Sequence, residues 1–130
     1  MKIFITRKIP DRGIKLLQAK GYEVSVSPHD RVLTHEELIE IGKGADAVMS
    51  QLTDKIDGAV VDAWALSTGS GQGRQLKIIA NYAVGYDNLN MKEIAERGVV
   101  ATNTPDVLTE TVAEHTFALM LAISHRIAES

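Results

Sequence analysis

LKIIANYAVGYDNLN, residues 76–90, is the stretch on which the reading of this sequence turns. It opens with an apolar run over 76–80 that reads as a buried strand. It then passes through Asn81-Tyr82-Ala83 into Val84-Gly85 and reaches a helix-start signal at Asn90, with Glu93 three residues on. A strand that runs into a helix through a small-residue turn is where α/β proteins put ligands. Gly85 has no Cβ, so the chain there is free to take a positive φ and a ligand can approach the backbone closely. Main-chain N–H groups in such a turn bind anions without a basic side chain. From these residues alone, Gly85 reads equally well as a plain tight turn.

The flanking sequence repeats the same strand–helix step. Residues 2–6 form an apolar run. Residues 11–20 follow as a helix, with Ile14, Leu16 and Leu17 partly on one face and Gly21 as its stop. Residues 22–26 alternate as a second strand. Thr34-x-x-Glu37 is a capping box ahead of a short helix whose apolar face carries Leu38 and Ile41. Residues 45–50 read as a third strand. Residues 57–66 read as a helix, with Ile56, Val60, Val61 and Trp64 at helical spacing. After the strand at 76–80, Asn90 caps a helix that stops at Gly98, and 99–102 is a fifth strand. The loop 103–106 leads to a last helix, capped by Thr111-x-x-Glu114 or by Asp106.

Five strand–helix steps predict an α/β fold, a parallel sheet with helices on both faces. The expected strand order is flavodoxin-like, although periodicity alone does not fix order. The last helix is apolar on every side over 117–123, which predicts burial all round. So little of the chain remains to bury it that another domain or another subunit is the expected neighbour.

The chain has 130 residues, enough for one domain with a core, and is 45% hydrophobic and 24% charged. A net charge of −3 with no basic arm gives no reason to expect a nucleic-acid partner or an anionic membrane surface. No apolar run approaches the ~20 residues of a membrane span, and no leader pattern follows Met1. The absence of cysteine excludes thiol chemistry and agrees with a reducing, cytoplasmic setting.

Few side chains suggest chemistry. The glycines Gly69, Gly71 and Gly73 lie between a helix and the next strand, the wrong end of the sheet for a phosphate loop, and read as a flexible connection. His35-Glu36 opens like a zinc-protease motif, but Ile39 holds the fifth position, so no metal is expected there. His29 reads as solvated. His115 and His125, ten residues apart on the last helix, do not share a face. No carboxylate pair or nucleophile elbow lies at the strand ends. The residues themselves therefore describe an anion- or small-ligand-binding domain without a catalytic residue.

Two strings carry a specific resemblance. IANYAVGYDN at 79–88 and TNTPDVLTETVAEH at 102–115 resemble the D-2-hydroxyacid dehydrogenases, within them most of all the glyoxylate/hydroxypyruvate reductases. Gln51-Leu52-Thr53-Asp54 and residues 94–98 extend the likeness over nearly the whole chain. The resemblance implies a substrate-binding domain at 1–102 and, at 103–130, a helix linking it to a dinucleotide-binding domain. It implies that Val84 and Gly85 clamp the substrate carboxylate and that Leu52 belongs to a loop closing over it. It also implies that Leu108 and Val112 sit near the nicotinamide ring of NAD or NADP, and that the helix over 111–129 forms a homodimer. The expected substrate is a small 2-oxo or 2-hydroxy acid, glyoxylate or hydroxypyruvate. The family's Gly-x-Gly-x-x-Gly fingerprint and its catalytic arginine, glutamate and histidine have no counterpart in these residues. The chain alone is therefore expected to be inactive and to hold no cofactor stably. The alternative expectation is a non-catalytic module that binds a small carboxylate or another subunit.

Overall fold

The computed structural model describes residues 1–65 and 76–129. The glycine stretch 67–73, read above as a flexible connection, lies outside the described residues, as does Leu66. The elements are β1 (Lys2–Ile5), α1 (Asp11–Ala19), β2 (Glu23–Val26), α2 (His35–Ile41), β3 (Ala47–Gln51), α3 (Gly58–Ala65), β4 (Ile78–Tyr82), α4 (Met91–Glu96), β5 (Val100–Thr102) and α5 (Thr109–Ser124), followed by a 3-10 turn at Ile127–Glu129. The sheet order is β2-β1-β3-β4-β5, and every pairing is parallel. This is the flavodoxin-like order, whose direction of winding reverses between β1 and β3.

Alternation along the strands supplies two cores. Phe4, Val48 and Ile79 point to one face and pack with Leu38 of α2, Val60, Val61 and Trp64 of α3 and Ile94 of α4. Ile3, Ile5 and Ala47 point to the other, where Ile14 and Leu17 of α1 cover them. Leu16, read as part of that apolar face, points outward and is 62% exposed. Trp64 is fully buried, and its indole N–H donates to the Leu38 carbonyl at 2.6 Å, tying α3 to α2.

The local signals act where expected at three helices. Thr34 and Glu37 form the reciprocal capping box of α2. The Glu37 carboxylate also takes both terminal nitrogens of Arg31, which with the Thr34 N–H holds its pKa down at about 2. Asn90 caps α4 by accepting from the Glu93 N–H, and Gly21 and Gly98 leave their helices at φ 79° and 69°.

Three expectations are corrected. β4 lies two residues later than the apolar run suggested, because Asn81 and Tyr82 continue the ladder opposite Ser50 and Gln51. α5 is capped by neither Thr111 nor Asp106. Thr111 lies inside the helix, Asp106 takes a left-handed φ of 65°, and Leu108 stands at the N-cap without a side-chain bond. Nor does one helix run through 111–129. It ends at Ser124, and Arg126 at φ 52° breaks the chain before the 3-10 turn.

The expected burial of α5 is not supplied by the described residues. Among the described residues, α5 meets no element except the 3-10 turn after it. Phe117, Met120, Leu121 and Ile123 are 57–77% exposed. So large an apolar surface on one helix favours association. We expect the 130-residue chain to self-associate at micromolar concentration in sedimentation, and Phe117→Asp with Ile123→Asp to shift it toward the monomer. A sharp wild-type monomer would contradict this.

Candidate functional site

The carboxyl ends of β3, β4 and β5 lie side by side, and buried and half-buried amides bind their loops together. Asn81, 2% exposed at the end of β4, uses its whole side chain. Its Oδ1 accepts from the Ser50 hydroxyl at 3.0 Å and from Asn88 Nδ2 at 3.2 Å. Its Nδ2 donates to the Gly85 carbonyl at 2.9 Å and to Asn88 Oδ1 at 3.0 Å. Asn88 Nδ2 reaches on to the carbonyls of Gln51 and Asp54 at 3.2 and 3.0 Å. Asp54, 3% exposed, closes the loop after β3 by accepting from the Gln51 N–H at 2.8 Å and from the Thr6 hydroxyl at 2.5 Å. These bonds satisfy buried polar groups that would otherwise destabilise the fold, and they hold the Leu52 loop and the Val84-Gly85 turn against a common support.

The turn itself is fastened through its carbonyls. Ala83 O accepts from the Thr104 N–H at 2.9 Å, and Val84 O accepts from Asn103 Nδ2 at 2.8 Å. The N–H groups of Val84 and Gly85 donate to none of the described residues. Gly85 does not use the left-handed region open to a glycine. A Cβ built there would meet only Leu52 Cδ1 and Asp87 Oδ2, each at 4.0 Å, which is ordinary contact. Neither backbone strain nor crowding within the chain therefore demands glycine at this position. What its missing side chain leaves is access to the main chain beside Leu52, itself 56% exposed.

The structure thus brings Leu52, Val84 and Gly85 to one place. Leu108 and Val112 stand at the start of α5. They are one turn apart, with Val112 N–H donating to Leu108 O at 2.9 Å, and so share a face, with exposures of 53% and 57%. An open cleft of about 780 Å³ borders the site, lined in part by Leu52, Lys55, Asp57, Asp87 and Asn88. In its wall, burial pushes the Asp57 carboxyl up, but the Val60 N–H at 3.1 Å and the His35 ring at 2.8 Å outweigh burial and hold its pKa below the usual carboxylate value. That pairing accounts for His35. Sequence reasoning missed Asn81, Asn88 and Asn103 as supports. A polar Asn81 at the end of an apolar strand was the available signal.

The sequence model for D-isomer specific 2-hydroxyacid dehydrogenase, catalytic domain, matches residues 3–129. The chain belongs to this family. The glyoxylate reductase of Thermococcus gammatolerans is 42% identical over 99% of this chain. Among solved structures, the TT0316 protein of Thermus thermophilus superposes with a TM-score of 0.83 at 35% identity, covering 99% of this chain and 38% of that one. The NAD+-bound 3-phosphoglycerate dehydrogenase of Entamoeba histolytica does so with a TM-score of 0.73 at 27% identity, over 94% of this chain and 38% of its own. This member of the 2-hydroxyacid dehydrogenases spans about a third of its curated relatives' length, 36% of the Thermococcus enzyme. Among the described residues no helix is long and apolar enough to cross a membrane.

Proposed function

We propose that these residues are the substrate-holding part of an NAD(P)-dependent dehydrogenase that reduces a small 2-oxo acid, glyoxylate or hydroxypyruvate, to its 2-hydroxy acid. The observation that carries this reading is that the N–H groups of Val84 and Gly85, beside Leu52, donate to none of the described residues, in a family whose relatives include glyoxylate reductases. Two successive main-chain donors suit a carboxylate, which accepts at both oxygens. In this reading they fix the acid end of the substrate, and Leu52 closes over it and keeps water from the carbonyl carbon. Residues 1–102 form the substrate-binding unit and 103–130 the link onward, with a homodimer formed through the helical region 111–129. A cytoplasmic setting is part of the same proposal.

The fit of a nicotinamide nucleotide is partial. Leu108 and Val112 present an exposed apolar face that suits a nicotinamide ring. The 130 residues contain no Gly-x-Gly-x-x-Gly turn to receive the pyrophosphate. When bound, the nucleotide supplies the hydride, and this chain contributes only orientation and cover. No residue of the chain is assigned as catalytic.

Titration calorimetry of the 130-residue chain with glyoxylate, glycolate and oxalate tests the holding role. Heat with at least one is expected, and silence with all three would count against it. The chain alone is expected to oxidise neither NADH nor NADPH with glyoxylate. Measurable turnover would overturn the assignment of the chemistry to residues outside it.

A further inference from the structure

We infer that Asn103 is a positioning residue for the carboxylate clamp, its side-chain amide aiming the Gly85 N–H at the ligand while the main chain of Thr104 aims that of Val84. The inference rests on the clamp reading above and goes beyond it, because it concerns what orients the donors.

The argument starts from the planarity of the peptide unit. In a trans peptide the N–H points opposite to the C=O of the preceding residue, and the chain has no cis bond among the described residues. The direction of the Gly85 N–H is therefore set by whatever holds the Val84 carbonyl, and that partner is Asn103 Nδ2 at 2.8 Å. The Val84 N–H is likewise set by the Ala83 carbonyl, held by the Thr104 N–H at 2.9 Å. The next peptide is held as well, Gly85 O accepting from Asn81 Nδ2 at 2.9 Å. Three consecutive carbonyls are thus fastened, the first two by the loop after β5. Both clamp N–H groups consequently face away from that loop, and neither has a partner among the described residues. Fastening matters because a turn peptide with a free carbonyl can rotate about its flanking bonds and point its N–H elsewhere. Donors fixed in advance spare the ligand that ordering.

Asn103 is half-buried and lies 19 residues from the carbonyl it holds. A merely structural role would show in stability, whereas a positioning role shows in affinity at constant stability. The experiment compares oxalate calorimetry and thermal melting of the 130-residue chain with those of three variants. Asn103→Leu keeps the side chain's shape without its donor. Thr104→Pro removes the N–H that holds Ala83 O. Asn103→Gln retains an amide. We expect Asn103→Leu and Thr104→Pro each to weaken oxalate about tenfold or more, with melting within a few degrees of wild type and the Gly85 amide resonance displaced. Asn103→Gln should recover part of the affinity. Oxalate binding by Asn103→Leu at wild-type strength would overturn the inference and leave the clamp standing. No oxalate binding by the wild type would overturn the clamp and the inference together. Asn103→Ala serves the same comparison if the leucine variant does not fold.

Discussion

Gly85→Val is expected to weaken oxalate binding by about a hundredfold or more while the chain still folds. Each hydrogen bond from the main chain to a charged group contributes about 1.5–3 kcal/mol, so obstructing two of them amounts to that loss. The fold should tolerate the change for two reasons. The backbone at 85 is outside the left-handed region, and a Cβ there meets its neighbours only at 4.0 Å. The branched side chain instead occupies the approach to the donors beside Leu52. Gly85→Ala should give an intermediate affinity and a melting temperature close to wild type. Calorimetry on the three proteins decides the matter. A valine variant that binds oxalate as wild type does would place the anion site elsewhere.

Trp64→Ala is expected to destabilise the chain by about 3–5 kcal/mol, the range for removing a large buried aromatic. Trp64 has no solvent exposure, and it holds the Leu38 carbonyl, which the substitution would leave unpaired. Against a total stability of about 5–15 kcal/mol for a domain, that is a large share. The indole is also closely enclosed. A Cβ at Gly42 would come within 2.7 Å of three of its ring atoms, so Gly42→Ala should destabilise by the opposite route, overfilling. Urea midpoints would test both. A shift for Trp64→Ala worth less than about 1 kcal/mol would show that the α2–α3 face contributes little.

The architecture was largely legible in the sequence. Five strand–helix steps gave the parallel sheet, and Thr34-x-x-Glu37, Asn90 and Gly98 marked helix ends through bonds or backbone states confined to a few neighbouring residues. The errors arose where distant partners decide. The end of β4 was misplaced because Asn81 is polar, and its burial depends on partners off its own strand: Ser50, 31 residues away in sequence, the Gly85 carbonyl and Asn88. Asn103 could be placed at a strand end, yet nothing in the sequence reveals that it reaches Val84 O. The start of α5 carries no side-chain cap, so pattern reading found caps that the backbone does not use. The apolar residues of α5 stand exposed, and no other described element except the 3-10 turn after it covers them.

That detachment bears on the order in which the molecule takes shape. Among the described residues, both cores are assembled from α1–α4, the strands and their connecting loops, and none of α5 enters them. On the ribosome, the sheet can close as soon as β5 has emerged and paired with β4. The helix leaves the exit tunnel later, alongside a unit already folded, as an apolar rod with nothing yet to lean on. The interval before it is covered is when a chaperone would find this chain.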